Sequence, residues 1–305
     1  MKIVSTLVGL LVALAATQSM TARAQSPTRP QVQLISTFDY PGTGTQTLPE
    51  KVNNHGDIIG AFIDSQGYRG FILFHTGVFS PPIMDPDDTA NFTIGTGIND
   101  AQLGCGFYAD EGGNHGFFLI GRTIMNYDVA GSTATTIYGV NNDGDFSGSA
   151  TVDGVEEGFV SLGGVVTEFT VTDAVATTPL ALNNLDEICG LYTDSSEKLH
   201  GFYRDADGTI HAPIDPPGSK DTELYGYNDN SVIVGHFQNR MGTHGLVFLL
   251  PDRFIVYDYP GSTFTSFNGI NNHGEIVGRY YDASGLSHGI IAQLVPGSDA
   301  SGETQ

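Results

Sequence analysis

The side chains best equipped for chemistry stand where a repeated pattern is broken. The chain contains six similar segments, and one position in them holds Ala, Phe, Ser or Leu in the first four copies but His236 and Arg279 in the last two. Histidine exchanges a proton near neutral pH, and the planar guanidinium of arginine binds oxygen acceptors with paired donors. A charged residue at a position that is otherwise small or apolar is a candidate functional residue.

Further polar residues follow Arg279 directly. Tyr281 ends the strand that carries Arg279, Asp282 begins the next loop, and acids recur at the position of Asp282 in three other copies. We therefore predict a ligand-binding site formed by Arg279, His236, Tyr281 and Asp282. The alternative is that His236 and Arg279 reach solvent or form a salt bridge between copies, as surface charges often do.

Established catalytic patterns do not occur in the sequence. It has neither GxSxG nor HExxH, and it lacks Trp, which the Asp boxes of sialidases require. Carboxylates from distant copies could still meet to hydrolyse a glycosidic bond. The sequence therefore favours binding over catalysis, and we assign no catalytic residue.

The elements that position these residues come from the repeat. Each copy carries an Asn, a Thr six residues before it, a Gly seven residues after it and a second Gly 17 or 18 residues after it. The Asn residues are Asn53, Asn99, Asn141, Asn183, Asn228 and Asn271. Repeats of roughly 40 to 50 residues are typical of propeller blades, whereas coils of pure β solenoids are usually about half as long.

Within one copy the sequence predicts strands separated by turns. In the sixth copy, Thr265–Ile270, Glu275–Tyr281 and His288–Gln293 read as strands, with NNHG and DASG as turns. Upstream copies add a fourth strand, such as 253–257. An aromatic residue beside the first Gly on one strand face suggests that a neighbouring sheet packs into the gap.

The end of the repeat array indicates how the structure closes. The sixth copy has no fourth strand, but the N-terminal stretch Val32–Tyr40 resembles Phe254–Tyr259. We predict an all-β, six-bladed propeller with four-stranded blades, in which this N-terminal strand completes the last blade. The predicted repeats lie near 41–82, 83–127, 128–169, 170–213, 214–257 and 258–294, with the closing strand at 32–40.

The recurring residues themselves are best explained by architecture. The Asn would cap a turn, the Thr would hydrogen-bond backbone, and the His that precedes the second Gly in four copies would bind a backbone carbonyl. The alternative is that rings of Asn and Thr line a polar channel or hold a metal. These His residues are His115, His200, His244 and His288.

Metal and redox chemistry receive little support. Asn141–Asp145 and Asp205–Gly208 alternate oxygen ligands before or around a Gly, but neither has the terminal acid of a calcium loop. We predict no metal site and no cofactor, with calcium as the alternative. Cys105 and Cys189 occupy small apolar positions two copies apart, which predicts buried free thiols.

Charge and termini limit partners and location. The chain has 34 Asp plus Glu, 12 Lys plus Arg and a net charge of −22, so we expect no nucleic-acid partner. Residues 1–24 resemble a signal peptide cleaved near Ala24, which predicts a secreted or periplasmic protein without a membrane span. Residues 25–30 form a polar lead and 295–305 a disordered tail, and we expect a monomer.

One known family shares the repeat. The HGF triplets 115–117 and 200–202, the variants at His244 and His288, and INNHGEIVG at 270–278 resemble the HAF repeats of extracellular bacterial proteins. The resemblance covers all six copies, although Arg69 and Glu157 replace the His in two of them. It implies an extracellular repeat protein but no activity and no catalytic residues.

These observations lead to one functional prediction with two alternatives. We predict a secreted binding or interaction module whose ligand is a glycan or another extracellular polymer. The first alternative is a secreted hydrolase or lyase with its site at the mouth of the channel, which would require acids and bases that break the sixfold pattern and cluster there. The second is a structural extracellular component.

Overall fold

The computed structural model describes residues 29–42 and 44–296, and its regular elements are all β-strands. The predicted signal peptide, most of the polar lead and most of the predicted tail lie outside the described residues. Within the described part of the chain, no helix is long and apolar enough to cross a membrane.

The strands follow one another in short antiparallel hairpins. Their bounds are β1 Gln31–Phe38, β2 Gln46–Val52, β3 Ile58–Asp64, β4 Gly67–Leu73, β5 Thr93–Ile98, β6 Leu103–Ala109, β7 Asn114–Ile120, β8 Thr123–Tyr127, β9 Ala134–Val140, β10 Phe146–Val152, β11 Val155–Leu162, β12 Val165–Phe169, β13 Ala176–Leu182, β14 Ile188–Thr193, β15 Leu199–Arg204, β16 Ile210–Ile214, β17 Asp221–Asn228, β18 Val232–Asn239, β19 Gly242–Leu249, β20 Arg253–Tyr257, β21 Thr265–Ile270, β22 Glu275–Tyr281 and β23 Ser287–Val295.

The sheets form a six-bladed β-propeller, as predicted. Blade 1 is β2–β4, blade 2 is β5–β8, blade 3 is β9–β12, blade 4 is β13–β16, blade 5 is β17–β20, and blade 6 is β21–β23 with β1. The first strand of each blade contacts the first strand of the next, so these six strands surround a central channel. Among the described residues, six apolar clusters fill the interfaces between consecutive blades.

The N-terminal strand closes the ring, which confirms the prediction. Strand β1 pairs antiparallel with β23 along its whole length, from Gln31 opposite Val295 to Phe38 opposite Gly289. The backbone groups of β23 that would otherwise form an exposed edge are thereby paired.

Blade 1 differs from the predicted four-stranded pattern. Its sheet contains three strands, and the place of the fourth is taken by an irregular segment that touches β4 through isolated bridges from Phe79 and Ile83. Pro81 and Pro82 lie between these bridges. Proline has no N–H to donate to a ladder, so a regular strand cannot form there.

The recurring asparagines tie the blades together at one end of the channel. The Nδ2 of each donates to the backbone carbonyl of the equivalent Asn in the next blade, ending with Asn271 to Asn53 at 3.0 Å. Each Oδ1 also accepts the N–H four residues further on. One side chain therefore caps its own turn and bonds to the neighbouring blade.

The recurring histidines join each blade to the link that follows it. Their Nδ1 atoms lie 2.6–2.9 Å from an Asp carboxylate in that link, rather than on the backbone carbonyl we predicted. The four pairs are His115 with Asp128, His200 with Asp215, His244 with Asp258, and His288 with Asp39. We call these pairs the histidine clips.

Candidate functional site at the channel mouth

Every channel-lining strand contains a β-bulge at the same place. Three residues before the recurring Asn, the strand register shifts by one and leaves one residue without a partner. The six bulged residues are Glu50, Thr96, Tyr138, Leu180, Tyr225 and Asn268. Bulges commonly re-aim a side chain beside a functional site. The bulge recurs in every blade while the bulged residue changes in type, as expected of a site whose lining differs from blade to blade.

The bulge also explains the first recurring glycine. A Cβ at Gly278 would lie 2.0 Å from the Ser266 carbonyl oxygen, and the equivalent glycines meet the equivalent carbonyls at 2.0–2.2 Å. The gap is therefore filled by backbone of the same sheet, and our expectation of packing from a neighbouring sheet was wrong at this position. The second glycine does face a neighbour, since a Cβ at Gly201 would lie 2.9 Å from Leu224 of the next blade.

An acid–base cluster occupies the mouth on blade 5. The Oε1 of Glu223 lies 3.4 Å from Nε2 of His236, and its Oε2 accepts a 2.5 Å hydrogen bond from the Tyr225 hydroxyl. Burial acts to raise the pKa of Glu223, but hydrogen bonds from His236 and Tyr225 and nearby positive charge leave that pKa below its ordinary value. Burial and the negative charge of Glu223 raise the pKa of Tyr225 well above its usual range. The carboxylate is thus held ionised beside a protonated phenol.

The cluster continues without a break onto blades 6 and 1. The Nδ1 of His236 lies 3.0 Å from Oγ of Ser266, and that hydroxyl donates to Asn268 at 2.8 Å. Asn268 in turn donates to Oε2 of Glu50 at 3.1 Å, and Nη1 of Arg279 lies 3.8 Å from Oε1 of the same carboxylate. We call these residues, together with Glu223 and Tyr225, the mouth network.

Arg279 keeps hydrogen-bonding capacity that the protein does not use. Its Nε is buried and has no hydrogen-bond partner among the described residues, and its ion pair with Glu50 is long. The guanidinium lies 5.8 Å from the ring centroid of Phe264, which stacks on Tyr281 at 4.3 Å. Arg279 is thus held by an aromatic wall and one carboxylate, with donors available for an oxygen-rich group.

The structure separates the four residues predicted to form the site. His236 and Arg279 belong to the mouth network, and Tyr281 borders it through Phe264. Asp282 does not belong to it, because its carboxylate accepts the N–H of Ser284 and Leu286 and faces His288 at 3.3 Å. Asp282 therefore caps a turn and supports a histidine clip.

The opposite side of the mouth is less charged. On blade 3, the hydroxyl of Tyr138 lies within hydrogen-bonding reach of the Thr136 and Ser149 side chains. The ring of Tyr138 lies 6.3 Å from that of Phe107. Burial, then the negative charge of Glu156, raises the pKa of Tyr138. Blades 5, 6 and 1 thus supply most of the acids and bases, whereas blades 2 and 3 supply hydroxyls, aromatic surface and Glu156.

Below the mouth the channel narrows to an apolar collar. The collar consists of the residues directly before each recurring Asn, namely Val52, Ile98, Val140, Leu182, Tyr227 and Ile270. On the far side it borders an asparagine-lined vestibule of about 80 Å³, and on the mouth side a cavity of about 70 Å³ that Lys51 also lines. In the vestibule, Asp100 and Asp229 each accept hydrogen bonds from two asparagine side chains.

Among the described residues, no group of three or more His, Cys, Asp or Glu side chains is arranged to hold a metal ion. In the two stretches resembling calcium loops, Asn141 binds N–H groups of its own turn and Asp145 binds the N–H of Gly163. Asp205 contacts His211 and Asp207 contacts Thr209. Cys105 and Cys189 are both buried and free.

Sequence reasoning missed most of the mouth network. Glu50, Glu223, Tyr225, Ser266 and Asn268 were not singled out, although all stand three or five residues before a recurring Asn. A signal was present, because the position three before the Asn holds five different residue types in six copies, whereas the next position is Gly or Ala in five of them.

Comparison with known proteins supports the architecture only. No protein-family model matches the chain, and no curated protein matches its sequence significantly. TolB from Acinetobacter baumannii has a TM-score of 0.51 at 12% identity over 80% of this chain and 54% of TolB, so the chain spans about half of that relative. A protein assigned as TolB from Agrobacterium tumefaciens has a TM-score of 0.58 at 13% identity, covering 89% of this chain and 100% of that one.

A third solved structure has a different activity in its name. Virginiamycin B lyase from Staphylococcus aureus has a TM-score of 0.52 at 11% identity, covering 88% of this chain and 100% of the lyase. At such identities the likeness shows the β-propeller fold alone.

Proposed function

We propose that the protein is a binding module whose ligand enters the channel mouth and contacts the mouth network. The observation that carries this proposal is Arg279, a half-buried side chain whose buried Nε has no partner among the described residues. A buried donor without a partner costs free energy, so a site that retains one is suited to a ligand that completes it.

The chemistry of the mouth favours a ligand rich in hydroxyl and other oxygen groups. Glu50 and Glu223 can accept hydrogen bonds, while Arg279, His236 and Tyr225 can donate them. Phe264 and Tyr281 add an aromatic surface at the edge. Glycans combine hydroxyl groups with apolar ring faces, so we propose a glycan or another extracellular polymer as the ligand.

A glycan array probed with the chain from Gln25 onward tests this function, followed by titration of the strongest ligand. Arg279→Ala should weaken binding roughly 10-fold or more, because a charge-assisted hydrogen bond is lost. Arg279→Lys should recover only part of the affinity, because an ammonium lacks the planar fork. The exposed Arg240 of blade 5 provides a matched control, and Arg240→Ala should bind as the parent does. Equal affinities for the Arg279 and Arg240 variants would exclude the site.

A hydrolase or lyase is the second candidate, and the pair of Glu223 and His236 favours it. The two side chains lie within 3.4 Å and break the sixfold pattern, which is the arrangement an acid–base reaction requires. Mass spectrometry of array ligands after incubation would reveal cleavage. Products that form with the parent protein and not with His236→Ala would establish an enzyme, whereas intact ligands would leave the binding function.

The location of the protein belongs to the same proposal. We propose that it is exported and released after cleavage near Ala24, as the sequence of residues 1–24 suggests. Its membership of the HAF-repeat proteins and its monomeric state likewise stay predictions. N-terminal sequencing of the protein recovered from medium and periplasm, together with its mass in solution, checks both the cleavage and the assembly.

A further inference from the structure

Lys51 breaks the sixfold pattern inside the channel, below the mouth. It stands two residues before the recurring Asn, and the other five copies carry only Gly or Ala there, at Gly97, Gly139, Ala181, Gly226 and Gly269. One long basic side chain therefore shares this layer of the channel with five small residues.

The packing at this layer explains why the other residues are small. A Cβ at Gly269 would lie 2.8 Å from Cα of Lys51, and one at Gly226 would lie 3.0 Å from Cα of Gly269. The six strands approach so closely that further side chains would clash with neighbouring backbone. Lys51 is the one long side chain of this layer, and it lines the cavity together with Ala181 and the glycines.

The amine of Lys51 has no acidic partner in the described residues. No carboxylate lies within 4 Å of it there, and it makes no hydrogen bond to these residues. Its neighbour Glu50 is engaged with Arg279 and Asn268 instead. Lys51 is half-buried, and desolvation lowers the pKa of its amine, although the charge of Glu50 partly opposes this effect.

Apart from the adjacent Glu50, which is engaged by Arg279 and Asn268, the titratable groups around Lys51 do not supply a counter-charge. The thiols of Cys105 and Cys189 are close enough to interact with it, but burial raises the pKa of each, to about 12 for Cys105, so both are neutral. Tyr227 of the collar also has its pKa raised by burial. An ammonium group in this setting is stabilised by an external anion more than by the protein.

The cavity beside Lys51 has the size and lining for a small anion. It measures about 70 Å³ and is bounded by the apolar collar and by backbone at Gly97, Gly139 and Gly226. The channel-lining strands are the innermost of their sheets, so unpaired backbone N–H groups along their free edges can face it. The same collar residues separate this cavity from the vestibule.

We propose that the axial cavity is a binding site for a small monovalent anion, a halide or a short carboxylate such as formate, with Lys51 as its cationic ligand. The site is distinct from the channel mouth and does not depend on the function proposed there. The anion neutralises the lysine, fills the narrowest part of the channel and links the inner strands of the blades.

Bromide is the probe that tests this site most directly. Crystals of the protein equilibrated with sodium bromide should show an anomalous peak on the channel axis within hydrogen-bonding distance of Nζ of Lys51. Lys51→Met keeps the length of the side chain without its charge, and its crystals should lack that peak. Absence of the peak from the parent crystals, or its persistence in the variant, overturns the proposal.

Solution measurements provide the second arm. Bromide, chloride and formate should each raise the midpoint of thermal unfolding in a saturable manner, by roughly 5 °C at saturation. Sodium sulfate at equal ionic strength controls for screening of the negative net charge. Lys51→Met should lose the saturable part, while Arg240→Ala, at an exposed position, should retain it. An equal response to sulfate, or an unchanged response in Lys51→Met, contradicts an anion site and leaves the mouth proposal untouched.

Discussion

The Thr that stands six residues before each recurring Asn is buried in every blade. What its hydroxyl contributes to stability depends on the one residue that it faces in the preceding link. In five blades the Oγ accepts an N–H from the link that precedes the blade, as Thr177 does from Val171 at 3.0 Å. Thr222 is equally buried, but its hydroxyl has no partner among the described residues. The residue that would donate is Pro216, and proline has no N–H.

Replacing these two threonines by valine should therefore have unequal effects. Thr177→Val leaves the N–H of Val171 unpaired and should lower the free energy of unfolding by about 1–3 kcal/mol. Thr222→Val removes an unsatisfied hydroxyl and should change stability by no more than about 0.5 kcal/mol, or increase it. Urea unfolding of both variants measures the difference, and equal losses would refute this assignment of the hydrogen bonds.

At the scale of elements, β1 is the strand on which the ring depends. It lies far from β23 in sequence yet pairs with it along its full length, and Val32 and Leu34 pack on the apolar cluster between blades 5 and 6. Phe38 packs on the cluster between blades 6 and 1, so this single strand contributes to two neighbouring interfaces.

A chain that begins at Asp39 should be strongly destabilised. Loss of the β1 pairing and of its apolar contacts should lower the free energy of unfolding by roughly 3–6 kcal/mol. The exposed edge of β23 should also promote association. Thermal unfolding and sedimentation compare this variant with the chain from Gln25, which retains β1. An unchanged midpoint would contradict closure by the N-terminal strand.

For the whole molecule, two of the histidine clips make joints between blades sensitive to pH. The carboxylates of Asp128 and Asp110 raise the pKa of His115 against the effect of burial. Burial acts to lower the pKa of His288, but hydrogen bonds with Asp39 and Asp282 leave it raised. A raised folded-state pKa means that the stabilisation is complete below the ordinary value and is lost as the pH rises through the folded value.

Replacement of a clip histidine should consequently lower the free energy of unfolding more at acid pH than at alkaline pH. His288→Gln should cost up to about 1 kcal/mol near pH 5 and much less near pH 9, since the pair is partly exposed. His55 is exposed and has no carboxylate within 4 Å among the described residues, so His55→Gln is the matched control. Thermal unfolding across this range checks the difference, and a loss for His288→Gln that is the same at both pH values would refute an ionic clip.

Much of the fold follows from the sequence because strands and tight turns are encoded locally. The predicted strands Thr265–Ile270, Glu275–Tyr281 and Arg253–Tyr257 coincide with β21, β22 and β20, and the closing strand differs by a residue or two at its ends. Blade 1 departs from the pattern because its prolines cannot join a ladder. The six copies of the repeat predict six blades, because each copy can bury its apolar faces only against its neighbours.

The candidate site depends on contacts between blades that the repeat pattern does not specify. By itself the sequence determined the propeller, its closure and the two broken positions, His236 and Arg279. Only the tertiary structure decided that these join Glu223, Tyr225 and Glu50 in one network. Tyr225, Asn268 and Glu50 are bulged residues, and the Asn268 to Glu50 bond joins residues 218 apart in the chain. Such a contact exists only once the ring has closed, because no local pattern specifies which side chains meet across the seam.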